Sequence, residues 1–237
     1  MPAENSSLLR TYPRVLLVAA VDRELSSLAG QLPSRVCEWD SFPLCSGVDV
    51  AISGVGRSAA AAAVAWNMAR KPYDCVLSVG VCGSLPGSDL QPGDLLLATG
   101  SVFHEEGIAL PEEFADMQSL GFPLGPFTGN EAPPTPALFD LLRSCPGETI
   151  RKGAIATVAT CSGSDEAAST VRERTGALAE AMEGAAVVST ALRLGAAAAE
   201  LRSVSNTTGD RDRQRWDFPL ATRNLARVIG KFISLDT

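Results

Sequence analysis

Histidine is almost missing from this chain: His104 is the only one among 237 residues. A zinc site draws three or four ligands from His, Cys and carboxylates at short spacing. Here the imidazole stands alone, and Cys37, Cys45, Cys75, Cys82, Cys145 and Cys161 contain no C-x-x-C pair. No metal and no cofactor is therefore expected. A Ser-His-Asp or Cys-His nucleophile would depend on that one ring. Basic residues are also in deficit, 20 Lys+Arg against 27 Asp+Glu for a formal charge of −7, with no basic block. That balance speaks against a nucleic-acid partner. The most apolar long stretch, Gly184 to Ala199, is interrupted by Arg193 and rich in alanine, so no membrane span is expected. Met1 to Arg14 carries neither the apolar core nor the cleavage site of a secretion signal, which predicts a cytoplasmic protein. The scattered cysteines then read as buried thiols.

No Pro/Ser/Gly linker divides the chain, and its length suffices for one sizeable core, so residues 1–14 are read as an extension and 15–237 as a single domain. Short apolar runs alternate with helical patterns, as in an α/β fold with a largely parallel sheet. Strands are expected at Val15–Ala20, Val48–Ile52, Cys75–Val79, Asp94–Thr99, Gly153–Ala159 and Leu201–Ser205. Helices are expected at Glu24–Ala29, Ser58–Arg70, Pro136–Arg143, Asp165–Thr175, Gly184–Leu194 and Pro219–Phe232. Residues 101–135 are rich in proline and glycine and read as a long loop or lid beside a site, or as a plain surface excursion.

Gly54-x-Gly56-x-x-Ala59 follows a strand and opens a helix, which satisfies a dinucleotide-binding pattern. That pattern also needs an acidic residue at the end of the next strand, and Cys75-Val76-Leu77-Ser78-Val79-Gly80 ends without one. The glycines read better as a tight turn that packs an alanine-rich helix on the sheet.

In open α/β sheets ligands bind beyond the carboxyl ends of the strands. The residues there are Asp22-Arg23-Glu24, Gly80-Val81-Cys82-Gly83-Ser84, Thr160-Cys161-Ser162 and Asn206-Thr207-Thr208, joined by Met182-Glu183 before an alanine helix. Glu183 alone is equally well read as favouring that helix N-terminus electrostatically.

Taken with Ser53-Gly54-Val55-Gly56, Gln91-Pro92-Gly93-Asp94 and Arg202-Ser203-Val204-Ser205-Asn206, in this order, these segments resemble the purine nucleoside phosphorylases and nucleosidases over roughly residues 15–235. The nucleosidase branch is the more similar. The resemblance implies a three-layer αβα sandwich with a mixed, largely parallel sheet and cleavage of a purine nucleoside. It implies further that Glu24 activates the attacking water and that Met182 and Glu183 line the ribose. Gly83 turns its backbone to the nucleoside, and Cys161 or a neighbour such as Thr160 meets the purine. Family members form dimers or larger rings, so a homo-oligomer, dimer or tetramer, is expected.

Phosphorylases of the family need an arginine and a serine for phosphate, at positions matched here by Ser78 and Val81. Serine and valine lack the bidentate charge of a guanidinium, which favours water, although Arg23 and Arg57 lie near enough to compensate. Adenine-cleaving relatives carry aspartate where this chain has Asn206. An amide can donate to a 6-oxo group and accept from N7–H, which points to a 6-oxopurine such as hypoxanthine. Asn206 cannot itself be the acid, so the base's proton comes from water. The stretch Gly209-Asp210-Arg211-Asp212-Arg213-Gln214-Arg215-Trp216 resembles family members that release hypoxanthine from a nucleoside with a carboxyphenyl ketone tail on its 5′ side. Arg211 or Arg213 would pair with the tail carboxylate, or the loop is merely solvated. A phosphorylase and a catalytically silent nucleoside-binding protein stay open as alternatives.

Overall fold

A computed structural model describes residues 7–31, 39–111 and 113–233. Eleven strands and six α-helices follow in chain order: α1 (Ser7–Thr11), β1 (Val15–Ala19), β2 (Ser41–Cys45), β3 (Val48–Ile52), α2 (Arg57–Arg70), β4 (Cys75–Ser84), β5 (Leu95–Phe103), β6 (Gly107–Ala109), β7 (Phe114–Asp116), β8 (Glu131–Ala132), α3 (Pro136–Leu142), β9 (Ile150–Thr157), α4 (Asp165–Thr175), β10 (Ala179–Ala181), α5 (Gly184–Arg193), β11 (Ala197–Thr207) and α6 (Phe218–Ile233).

The main sheet has the order β10-β9-β5-β11-β4-β1-β3-β2, with β8 beside β5. Pairs β1–β3, β1–β4, β4–β11, β5–β9 and β9–β10 are parallel, while β2–β3, β5–β8, β5–β11 and β4–β10 are antiparallel. Because β10 bonds to both β9 and β4, one half of the sheet curls round an interior of Cys82, Leu96, Ile155, Ala181 and Val204. Helices α2 and α5 cover one face through Ala60, Val64, Ala186 and Val187. Helices α1, α3 and α6 cover the other through Leu8, Leu138, Leu142, Leu225 and Ile229. Leu8, from the segment read as an extension, is fully buried there. The central strands are buried on both faces, which is why they read as unbroken apolar runs.

Three differences from the expected elements matter for the site. Gly80–Ser84 is not a loop: β4 continues through it and β11 stays paired with it as far as Ser84. Residues 22–31 form a 3-10 helix rather than an α-helix, kinked at Leu25 (φ −105°, ψ 16°). The cause is local, because the Glu24 carboxylate accepts from the N–H groups of Ala20 and Val21 and winds the strand end into a tight turn round itself. Residues 101–135 contain the last strand residues of β5, the β6–β7 hairpin and β8. None of them lines the cavity at the strand ends; with the end of α4 they border a separate, more open concavity of about 890 Å³.

Among the described cysteines, all are free thiols; Cys75, Cys82 and Cys145 are buried, Cys45 is half-buried and Cys161 is exposed. Cys37 lies outside the described residues. No described helix is long and apolar enough to cross a membrane. No group of three or more His, Cys, Asp or Glu among the described residues is placed to hold a metal ion.

Candidate active site

A cavity of about 280 Å³ opens at the carboxyl ends of β1, β4 and β11. Glu24, Gly83, Cys161, Met182, Glu183, Asn206 and Arg211 all line it. Its volume sits at the small end of the roughly 300–1,000 Å³ span of ligand pockets, scaled to a nucleoside rather than a dinucleotide. Gly56 N–H, which a dinucleotide site would aim at a pyrophosphate, instead donates to Glu183 Oε1 at 2.9 Å.

Glu24 is 5% exposed, and three backbone N–H groups hold it: Ala20 (2.8 Å) and Val21 (3.2 Å) on Oε2, Val81 (2.9 Å) on Oε1. A carboxylate has about four lone-pair sites, so one remains for a water. Burial pushes the Glu24 carboxyl above its usual range, opposed by Arg202 and the Val81 N–H. Gly80 is what lets β4 pass beneath: a Cβ there would stand 2.2 Å from Glu24 Oε1 and 2.5 Å from Arg202 Nη1.

Arg202 is the chief feature missed by the sequence reading. It is 1% exposed and donates from Nε to Glu200 Oε1 (2.9 Å) and from Nη2 to Ser78 Oγ (3.0 Å). Its Nη1 lies 3.8 Å from Glu24 and its Nη2 3.6 Å from Glu183. Burial opposes its charge, and the carboxylates of Glu200, Glu183 and Glu24 outweigh that and raise its pKa. Glu200, wholly buried, also accepts from Ser101 Oγ at 2.5 Å, and Gly184 leaves it room. The available signal was Glu200-Leu201-Arg202 itself: opposite charges two apart in an apolar strand lie on one face and are buried together.

Glu183 is not a side-chain cap of α5; its carboxylate spans to Gly56 and Arg202 instead. Asn206 Oδ1 accepts from Ser205 Oγ (2.8 Å) and Nδ2 donates to the Thr207 carbonyl (2.9 Å). Asn206 bridges Trp216, while Thr207 N–H donates to the Arg215 carbonyl, so the charged stretch folds back over the cavity mouth. There Gln214 Oε1 accepts from Arg211 Nη1 (2.9 Å) and Trp216 Nε1 (3.2 Å), and the Arg211 guanidinium lies 5.0 Å from the Trp216 ring centre. Arg211 has no carboxylate partner among the described residues.

Two expected residues are not brought into the cavity. Arg213 points outward, 68% exposed at its side chain, between Asp165 (2.5 Å) and Asp210 (3.2 Å). Thr160 is exposed just before the lining residues Cys161 and Ser162. Glu180 does line the cavity, 4% exposed, although no role was read for it.

The fold is that of the nucleoside phosphorylases and nucleosidases. A methylthioadenosine/S-adenosylhomocysteine nucleosidase from Colwellia psychrerythraea, solved with adenine, superposes with a TM-score of 0.76 at 20% identity over 98% of this chain and 96% of its own. The native futalosine hydrolase of Helicobacter pylori superposes with a TM-score of 0.73 at 20% identity, over 93% and 97%. The model of the phosphorylase superfamily matches residues 44–234. A futalosine hydrolase from Streptomyces coelicolor is 34% identical over 92% of this chain and 94% of its own, and one from Acidothermus cellulolyticus is 39% identical over 77% and 73%. The chain belongs to the phosphorylase superfamily and, within it, to the futalosine hydrolase family.

Proposed function

We propose that the chain hydrolyses the N-glycosidic bond of futalosine, releasing hypoxanthine and dehypoxanthine futalosine in menaquinone biosynthesis. The observation that carries hydrolysis is the charge balance round Glu24. The buried cation Arg202 is already shared by Glu24, Glu183 and Glu200, so it is not free to hold a phosphate dianion beside Glu24. Arg57 is bound to Glu105 and Glu106, and Arg23 rests on the Phe218 ring. Ser78 and Val81, at the phosphate positions of the phosphorylases, serve Arg202 and Glu24 here.

In the reaction, a water bound to Glu24 attacks C1′ of the ribose as the C1′–N9 bond breaks and its electron pair passes to the base. Glu24 takes the water's proton, and solvent water protonates the departing base at N7. The transition state is oxocarbenium-like, as in other glycoside cleavages, and Glu183 stabilises it through the ribose hydroxyls. A base with a raised pKa abstracts a proton more effectively, which suits the buried setting of Glu24. Met182 packs on the ribose, Gly83 and Cys161 on the purine, and Asn206 on its N7/O6 edge. Arg211 pairs with the tail carboxylate, and Arg213 and Thr160 drop out of the binding set.

Ile108, Leu110 and Phe122 stand exposed on the 101–135 segment, which supports a homo-oligomer, dimer or tetramer, and the cytoplasm is its proposed location. The test of function is chromatography of products from futalosine, inosine and methylthioadenosine. Hypoxanthine release fastest from futalosine is expected; preferred release of adenine from methylthioadenosine would overturn the assignment.

A further inference from the structure

Glu180 is a buried carboxylate in the cavity that none of the steps above uses. Its position is set by the sheet. In the antiparallel ladder β10–β4, Glu180 faces Gly83, and in the parallel ladder β11–β4, Asn206 faces the same Gly83. Directly paired residues project to one side of a sheet, so Glu180, Gly83 and Asn206 form a row across three strands. Adjacent strands lie about 4.8 Å apart, which separates the outer two backbones by roughly 10 Å. The register of β11 slips between Val204 and Asn206, a bulge of the kind that re-aims a side chain. Gly83 leaves room for its neighbours in the row: a Cβ there would lie 2.7 Å from Thr208 Cγ2 and 3.2 Å from Asn206 Nδ2. All three residues line the cavity, which therefore has a carboxylate on one side and an amide on the other.

The two ends of the row differ in what they can discriminate. An amide presents a donor or an acceptor according to how it is turned. An ionised carboxylate only accepts. Ser162 donates to both Glu180 oxygens, from its N–H (2.8 Å) and its Oγ (2.6 Å), and lone pairs remain for the cavity. A 6-oxopurine carries a hydrogen on N1; a 6-aminopurine carries a lone pair there. We infer that Glu180 accepts the N1–H of the leaving base and adds its own selection for 6-oxopurines over 6-aminopurines to that of Asn206 on the N7 side. This rests on the nucleosidase reading above and assigns the selectivity of that same site.

The test compares kcat/KM for futalosine and its 6-amino counterpart in the wild type, Glu180→Gln and Ser162→Ala. Gln keeps the size and one bond to Ser162 but offers an N–H toward N1, so the 6-oxo to 6-amino ratio should fall roughly 10–100-fold, the worth of one hydrogen bond to a charged group. Ser162→Ala loosens the carboxylate without removing it and should lower both substrates by similar factors. An unchanged ratio in Glu180→Gln, with both rates lowered together, overturns the inference and reduces Glu180 to a latch for Ser162. Calorimetric titration of hypoxanthine and adenine into the same proteins reads the preference without turnover. A wild type that binds hypoxanthine better than adenine, loses that preference in Glu180→Gln, yet cleaves no futalosine would refute the proposed reaction while upholding the role of Glu180.

Discussion

Replacing Arg202 with methionine removes the cation shared by three buried carboxylates while keeping most of the side-chain volume. Coulomb's law at an effective dielectric near 20 gives roughly 4–6 kcal/mol of gross attraction per pair at the observed 2.9, 3.6 and 3.8 Å. Desolvation in the native protein offsets much of that, and the orphaned carboxylates would relieve the remainder by taking up protons. Removing one partner of a buried ion pair costs about 3–5 kcal/mol. For a chain of this length that lowers Tm by roughly 6–20 °C. The sign of the pH dependence follows from linkage. Without Arg202 the folded state holds Glu24 and Glu200, already raised by burial, at still higher pKa than the unfolded chain, so it binds more protons, and stability falls as pH rises. The gap in Tm between variant and wild type should therefore be wider at pH 8 than at pH 5 in scanning calorimetry. The acid limb of kcat/KM should move to higher pH as well, because Glu24 must be ionised to act as a base and Arg202 is the main influence lowering its pKa. An equal Tm loss at both pH values, with an unmoved acid limb, would refute the electrostatic reasoning and leave Arg202 as packing.

Glu24→Gln should lower kcat on futalosine about 10²–10⁴-fold, the usual worth of a general base, with circular dichroism unchanged; undiminished turnover would favour a different base. Gly80→Ala drives a methyl group to 2.2 Å from Glu24 Oε1 and should likewise cripple turnover more than it raises KM, as initial rates across substrate concentration will show. Arg211→Gln should raise KM for futalosine and leave inosine untouched, whereas Arg213→Gln, whose guanidinium faces Asp165 and Asp210, should alter neither; a reversed pattern would place the tail on the other side of the loop. Asn206→Asp should shift the preference from hypoxanthine toward adenine nucleosides, as chromatography of products from futalosine and methylthioadenosine will show.

The strand-end rule brought Glu24, Gly83 and Asn206 to one cavity from sequence alone, because buried parallel strands announce themselves as apolar runs and the residues beyond the expected runs face the crevice. What escaped lies where the pattern is carried by pairing rather than by composition. Strand β10 is three residues long, Ala-Glu-Ala, and exists because β9 and β4 both bond to it; Glu180 was hidden with it. The extension of β4 through Gly80–Ser84 lies beyond the strand end expected at Val79, and its glycines clear space for Glu24, Arg202 and Asn206. Arg211 and Arg213 are equivalent in sequence, and only the positions of Asp165 and Asp210 separate the neutralised cation from the available one. Arg202 reads as a member of a motif and Glu200 as a residue before it, yet their partners come from four other segments of the chain, at residues 24, 78, 101 and 183.

The central claim is that water, placed by Glu24 in a site whose buried cation is already neutralised, is the nucleophile. Its most direct test is the rate of hypoxanthine release from futalosine in rigorously phosphate-free buffer and again with saturating phosphate. Equal rates, with a free reducing sugar as the second product in both, are predicted. Release that requires phosphate and yields a sugar 1-phosphate would contradict it.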